Sequence, residues 1–153
     1  MHQRNGFSLT ELMIVIAIIA IMAAIGTPGF RSMMLDNRLN STTNSLLGTL
    51  QFARSEAVMQ RSSITTCAAN ASNNACANST NWSNGALVMR GNTLLRIIPP
   101  ASAGVTITAS RNNVEYNADG TTSAATITTS DSRPQSRQIT VNAIGQACSG
   151  SAC

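Results

Sequence analysis

The hydrophobic residues form two patterns, a continuous run near the start of the chain and short alternating runs after it. No residue from Leu12 to Ile25 is polar, and apolar positions on both sides extend the run from Phe7 to Phe30. As a helix the longer stretch spans about 36 Å, which is enough to cross a bilayer. The pattern predicts a transmembrane or filament-core helix over residues 7–30.

The helical pattern continues beyond this run but changes character. We expect a kink or a locally melted turn at Gly26-Thr27-Pro28-Gly29, because proline removes a helical hydrogen bond and two glycines weaken the rest. From there to about Gln60, apolar residues recur at steps that sum to threes and fours, at Leu35, Leu39, Leu46, Leu50, Ala53 and Ala57. Residues 31–62 are therefore predicted to form an amphipathic helix that buries one stripe against a folded head.

Residues 63–153 show the pattern of short β-strands. Seven segments are rich in Val, Ile and Thr, namely SITTCA, GALVMR, TLLRII, VTITAS, VEYN, ATITT and RQITVN. Turn signals such as Asn84-Gly85 and Asp119-Gly120 separate some of them. The predicted fold class is α+β: a long N-terminal helix, apolar and then amphipathic, packed on a small antiparallel β-sandwich head.

Glu11 lies at the front edge of the apolar run, where ordinary anchors and secretion signals carry no acid. An ionised carboxylate at the centre of a membrane helix costs about 2.5–3.5 kcal/mol on insertion scales. A cut between Gly6 and Phe7 would create a cationic α-amino group four residues before Glu11, on the same helix face. The alternative interpretation is a removable secretion signal cut near Ala23 or Ala24.

The four cysteines, Cys67, Cys76, Cys148 and Cys153, all follow the apolar run. An even number in an exported chain favours disulfides, and four cysteines allow three connectivities. The short separations favour Cys67 with Cys76 and Cys148 with Cys153. A four-cysteine zinc site is the competing interpretation, although neither pair has the two-residue spacing of a zinc knuckle.

Composition and charge exclude most catalytic functions. The only histidine is His2, so no Ser-His-Asp or Cys-His arrangement can be built in the head. We therefore predict no catalytic residues, no metal site and no cofactor. The net charge is +4, and every basic residue that contributes to it is an arginine. Arg133 and Arg137 are candidate nucleic-acid contacts. Such arginines more often serve solubility, so DNA binding is not favoured.

The front of the chain resembles the class III signal of type IV pilins. The leader Met1-His-Gln-Arg-Asn-Gly6 is followed by Phe7-Ser-Leu-Thr-Glu11-Leu and then by the apolar run. The resemblance implies that a prepilin peptidase removes residues 1–6 and methylates the amino group of Phe7. It also implies that Glu11 is the assembly glutamate, which pairs with the amino terminus of a neighbouring subunit.

Two further stretches resemble the GspH/FimT family of minor pilins and minor pseudopilins. These are LQFARSEAVMQRSSITTC at the helix exit and SRQITVNAIGQ near the end. DNA-binding members of that family carry a Gly-Arg-x-Arg motif after the final strand. Here Gly145 is followed by Gln146-Ala147-Cys148, so both arginine positions of the motif are empty.

The resemblance implies a pilin-like fold and a minor pilin that takes part in initiating type IV pilus assembly at or near the tip. Its expected partners are other minor and major pilins, the prepilin peptidase and an inner-membrane assembly platform. Its expected location is the bacterial inner membrane, single-pass, with a periplasmic head formed by residues 63–153. The alternatives are a minor pseudopilin of a type II secretion system and a DNA-binding pilin for natural transformation.

Overall fold

The computed structural model describes residues 7–150, without the side chains of residues 25–28. These residues form one helix, α1 (Leu9–Gln60), followed by eight strands. The strands are β1 (Ile64–Ala68), β2 (Ala86–Arg90), β3 (Thr93–Ile98), β4 (Val105–Ala109), β5 (Asn113–Tyr116), β6 (Ala125–Asp131), β7 (Ser136–Val141) and β8 (Ala147–Ser149). The chain divides into two compact units after Asp36. The first unit contains the apolar part of α1, and the second contains the rest of the helix and all the strands.

The locally melted turn expected at Gly26-Thr27-Pro28-Gly29 is wrong, because the backbone is helical throughout these residues. Proline removes only one N–H donor from the ladder of helical hydrogen bonds. The hydroxyl of Ser32 also donates to the carbonyl oxygen of Gly29, at 2.8 Å. A single missing bond does not end a helix whose flanking sequences are both strongly helical.

The strands form two antiparallel sheets of four strands, which confirms the predicted α+β class. The first sheet has the order β3-β2-β1-β5 and the second the order β4-β6-β7-β8. All seven predicted segments form strands at the expected places. The sequence pattern missed β8, which pairs Val141 with Ala147 and Ile139 with Ser149. Three residues are too few to show an alternating pattern.

One hydrophobic core joins α1 to both sheets within the second unit. The predicted stripe is buried at Leu39, Leu46, Leu50, Ala53 and Ala57, and most of these side chains meet the inward-facing residues of both sheets. Trp82 is completely buried in the same core, so it anchors its loop to the head. At about 25 cal/mol per Å² of apolar surface removed from water, burial of this kind is the main stabilising contribution to the head.

A second apolar cluster lies on the opposite face of the first sheet. It contains the buried residues Cys67, Ala69, Leu87 and Met89. Cys67 forms a disulfide with Cys76, and their Cα atoms are 5.5 Å apart. This is the pairing that the short separation favours, and it removes both sulfurs as zinc ligands. Cys148 is also disulfide-bonded, and its predicted partner Cys153 lies outside the described residues.

Candidate functional site

The start of α1 positions the carboxylate of Glu11. Ser8 precedes the first helical residue, and its hydroxyl oxygen accepts a hydrogen bond from the backbone N–H of Glu11 at 3.3 Å. The Glu11 carboxylate in turn accepts from the backbone N–H of Ser8 at 3.5 Å. This reciprocal arrangement is a capping box, in which a serine and a glutamate three residues apart satisfy two unpaired helix donors. The carboxylate of Glu11 is therefore held next to Ser8 at the N-terminus of α1.

The predicted cleavage site lies at the edge of the described residues. Phe7 is described and exposed, whereas Gly6 lies outside the described range. The structure thus describes the residue on one side of the predicted cut, together with the glutamate four positions after it. The capping role of Ser8 was not among the predictions, although the pattern Ser8-Leu-Thr-Glu11 before an apolar run signals a capping box.

The helix beyond Glu11 presents apolar side chains to its surroundings on every side. Within the described part of the chain, α1 is the one helix long and apolar enough to cross a membrane. Large side chains exposed along it include Leu12, Met13, Ile14, Ile16, Ile18, Ile19, Ile21 and Met22. A helix that is hydrophobic all round needs lipid or other apolar helices as its environment. This surface and Glu11 together form the candidate assembly site.

The candidate nucleic-acid contacts, Arg133 and Arg137, lie at the β6–β7 hairpin, and each binds a neighbouring polar group. Arg133 forms a salt bridge with Asp131, with Nη2 at 2.6 Å and Nε at 3.0 Å from Oδ2. The hydrogen bond from the Arg133 side chain lowers the pKa of Asp131, against the opposing effect of desolvation. Arg137 donates through Nε to the Oδ1 atom of Asn40 on α1, at 3.2 Å. Both guanidinium groups thus have partners within the second unit of the chain.

The segment that corresponds to the family's Gly-Arg-x-Arg motif forms a tight turn. The N–H of Gly145 donates to the carbonyl of Asn142 at 2.9 Å, and the N–H of Asn142 donates to the carbonyl of Gln146 at 3.0 Å. Arg54 on α1 donates through Nη2 to the carbonyl oxygen of Ile144 at 2.8 Å. The turn is therefore fixed to the helix, and β8 begins directly after it.

Gly145 and Gly120 allow two turns and the Arg54 side chain to pack together. A Cβ atom on Gly145 would lie 1.9 Å from the carbonyl oxygen of Gly120 and 3.1 Å from Nε of Arg54. The φ angle of Gly145 is +79°, in the left-handed region that favours glycine. Arg54 also lies near Tyr116, whose pKa burial raises to about 12 while the arginine charge acts in the opposite direction. Arg54 and Gly145, which both lie in the stretches that resemble the GspH/FimT family, thus pack against each other in this chain.

Within residues 7–150, no group of three or more His, Cys, Asp or Glu side chains is arranged to hold a metal ion. Asp119 and Asp131 instead have local partners. Asp119 accepts hydrogen bonds from the backbone N–H and the hydroxyl of Thr121, at 2.9 and 2.6 Å, which lower its pKa. These contacts are those of a turn.

Two family models match the chain. One, described as type II transport protein GspH, matches residues 42–145, and the other, described as the prokaryotic N-terminal methylation motif, matches residues 1–27. No curated protein matches the chain in sequence.

Two solved structures share the fold, both of the type IV minor pilin FimU of Pseudomonas aeruginosa strain PAO1. The first, in space group P21, has a TM-score of 0.64 and 21% identity, and covers 78% of this chain and 92% of that chain. The second, in space group P65, has a TM-score of 0.57 and 20% identity, and covers 74% and 93% respectively. At these identities the likeness concerns the fold.

Proposed function

The chain belongs to the GspH family, and we propose that it is a minor pilin of a type IV pilus. In this role it is a non-catalytic structural subunit that takes part in initiating assembly at or near the pilus tip. The observation that carries the proposal is the carboxylate of Glu11 at the start of an exposed apolar helix. A subunit of this design docks through the helix and presents its head outside.

Processing at Gly6 and Phe7 is part of the proposal. The prepilin peptidase cuts between these residues and methylates the new amino terminus, which becomes N-methyl-Phe7. Support comes from the match of residues 1–27 to the methylation motif. Mass spectrometry of the mature amino terminus tests this step. A protein that begins after Ala23 or Ala24 would instead have a conventional secretion signal, and the pilin proposal would fail.

The proposed docking uses the amine of a neighbouring subunit. In the single chain the carboxylate of Glu11 accepts long hydrogen bonds, both of 3.5 Å, from the backbone N–H and the hydroxyl of Ser8. A methylated ammonium group carries a full positive charge, so it is a stronger partner for the carboxylate than a neutral backbone N–H. Before docking, the helix lies in the inner membrane with the head in the periplasm, where it meets the assembly platform. The apolar flanks supply a dry surrounding in which the ion pair is little screened by water.

Deletion of the gene separates the pilus from the secretion alternative. The proposal expects loss of surface pili, measured by shearing and by electron microscopy, and recovery with the wild-type chain. Secretion of folded proteins through the type II system should remain unchanged in the same strain. The opposite result, intact pili with lost secretion, would make the chain a minor pseudopilin, in line with the description of the matching family as type II transport protein GspH.

The DNA-receptor alternative receives little support from the head. Arg133 and Arg137 are bound to Asp131 and Asn40, and residues after Gly145 form a turn and β8. A phosphate site needs guanidinium groups that converge on an anion. In the described head, these two arginines are directed to protein groups.

A further inference from the structure

The four edges of the two sheets are protected to different degrees. An exposed edge strand presents unpaired N–H and C=O groups to any other strand, so folded proteins usually cover or shorten such edges. The edge of β4 is covered by residues 80–82: Trp82 donates to the carbonyl of Ile107 at 2.9 Å, and Ala109 donates to the carbonyl of Thr80 at 2.8 Å. This edge has no room for another strand.

The edges at β5 and β8 are also limited. Thr122 forms a bridge with Tyr116, and its hydroxyl donates to the carbonyl of Glu115, so the outer side of β5 is occupied. β8 is only three residues long. A strand this short offers few backbone groups to a partner.

β3 is the exception among the described edges. It is six residues long, it lies at the end of its sheet, and none of the described hydrogen bonds joins its outer side to another segment. Pro99 and Pro100 follow it directly, so the open edge has a defined end. The length of β3 equals that of an average strand, which suffices for pairing with another chain.

The side chains of β3 add an apolar surface to this open backbone. Ile97 pairs with Leu87, and Leu94 pairs with Met89 beyond a shift in register, so the irregularity brings Leu94 to the same face as Ile97, Leu87 and Met89. Leu87 and Met89 belong to the buried second cluster, whereas Ile97 is 49% exposed and Leu94 is 37% exposed. The cluster therefore continues to the sheet edge and is open to water there.

Charge restricts the partner that fits this edge. The β2–β3 hairpin, residues 86–98, carries Arg90 and Arg96 and no acidic residue. The guanidinium carbon of Arg96 lies 5.2 Å from the centre of the Phe52 ring, so this charge is held beside the strand. Pairing of two copies through β3 would bring together two hairpins that both carry arginines and no carboxylate, which disfavours self-association. A partner strand with a carboxylate complements the hairpin.

We propose that β3 pairs with an edge strand of a different pilin-family subunit, one that carries an acidic residue. The partner strand extends the first sheet by backbone hydrogen bonds, and apolar side chains on it cover Leu94 and Ile97. This inference rests on the proposed function only in requiring assembly with other pilin-family subunits. It adds a contact between heads to the contact between helices.

Site-specific photocross-linking of the full chain in its own bacterium tests the proposal. The photoreactive residue p-benzoylphenylalanine replaces Ile97 in one strain and Asn113 in a second. Asn113 lies on the same face at the opposite edge of the sheet and is also exposed, so it is a matched control. A third strain carries the probe at Ile19, in the apolar helix, and reports incorporation into a filament.

The expected result is an adduct between position 97 and the head of another pilin-family subunit, within a peptide that contains Asp or Glu. The control at position 113 should give about tenfold less of this adduct, which corresponds to about 1.4 kcal/mol of lost contact. With the probe moved to Leu94, the variant Ile97→Glu should lower the yield by a similar factor, and Asn113→Glu should leave it unchanged. A mobility shift on reduction verifies that the Cys67–Cys76 disulfide, and hence the head, is intact in each variant.

The outcomes separate the two proposals. Pilin adducts at Ile19 without any at Ile97 would overturn the β3 contact and leave the filament function standing. The absence of pilin adducts at both positions would overturn the filament function as well. An adduct from Ile97 to a second copy of this chain, to lipid or to a protein outside the pilin family would refute the proposed partner.

Discussion

The carboxylate of Glu11 binds Ser8 in the single chain, and in the proposed filament it binds the ammonium group of a neighbouring subunit. We expect Glu11→Ala to leave membrane insertion intact, because removing a charge from the edge of an apolar helix does not hinder its entry into lipid. Incorporation into filaments should fall about tenfold or more, the effect of losing about 1.4 kcal/mol of pairing free energy. Membrane fractionation and immunoblotting of sheared filaments measure the two quantities.

Ser8→Ala is the matched control for Glu11, since it removes the capping hydroxyl and keeps the carboxylate. Loss of an N-cap costs about 1 kcal/mol of helix stability. If Glu11 acts in docking, the serine variant should keep most of its incorporation. Equal losses in the two variants would mean that the glutamate only caps its own helix.

Gly145 makes a contact that no other residue type permits without movement of the backbone. We expect Gly145→Ala to lower the free energy of unfolding by about 3 kcal/mol, because a left-handed φ angle and a backbone clash act together. Gly104→Ala is the control, with a similar φ angle of +84° and no atom within 4 Å of the added Cβ. It should cost only about 1 kcal/mol, the price of the φ angle alone. Similar losses in urea unfolding would show that the packing against Gly120 is unimportant.

Among the structural elements, the Cys67–Cys76 disulfide joins the end of β1 to the loop before β2. Its sequence separation is 9 residues. We expect the double variant Cys67→Ala/Cys76→Ala to lose about 2–3 kcal/mol, the loop-closure entropy for a loop of this size. Alanine is chosen because Cys67 is buried in an apolar cluster. Denaturant unfolding of the full chain in detergent measures the loss.

The response to reductant provides the control for this disulfide. The wild-type chain should be destabilised by reductant, while the double variant should change only by what the bond at Cys148 contributes. A double variant as stable as the oxidised wild type would mean that the loop is held by its other contacts, such as the bond from the N–H of Ala77 to the carbonyl of Ala68 at 2.8 Å.

At the scale of the whole molecule, the property to be tested is its affinity for DNA. The net charge of +4 supports only weak, non-specific attraction. We expect a Kd for duplex DNA of about 10⁻⁴–10⁻⁶ M that weakens as salt rises. Fluorescence anisotropy at several salt concentrations measures this affinity.

The double variant Arg133→Gln/Arg137→Gln distinguishes a receptor from a structural subunit. In a structural subunit the double variant should weaken DNA binding slightly and leave pilus assembly unchanged, because the two arginines bind Asp131 and Asn40 of the same chain. Sub-micromolar binding at physiological salt that this variant abolishes, together with loss of transformation, would establish the receptor function instead.

The sequence alone determined the features that depend on local periodicity and on short motifs. The apolar stripe of α1 and seven of the strands were predicted from hydrophobic repeats of 3.6 and 2 residues. The prediction of a leader and of a role for Glu11 rests on a motif of a few neighbouring residues. These signals survive without tertiary contacts because each is contained in one segment of the chain.

Only the tertiary structure decided which distant residues meet. Arg137 bonds to Asn40, and Gly145 contacts Gly120 and Arg54, across separations that no periodic pattern reports. The open edge at β3 likewise depends on which strands lie beside it, since TLLRII has the same composition whether it is central or at an edge. Strand β8 forms because β7 offers it a partner, and α1 continues through Pro28 because its flanks hold the helix. The free energy of pairing depends on both segments that meet, so the sequence of one segment alone does not determine it.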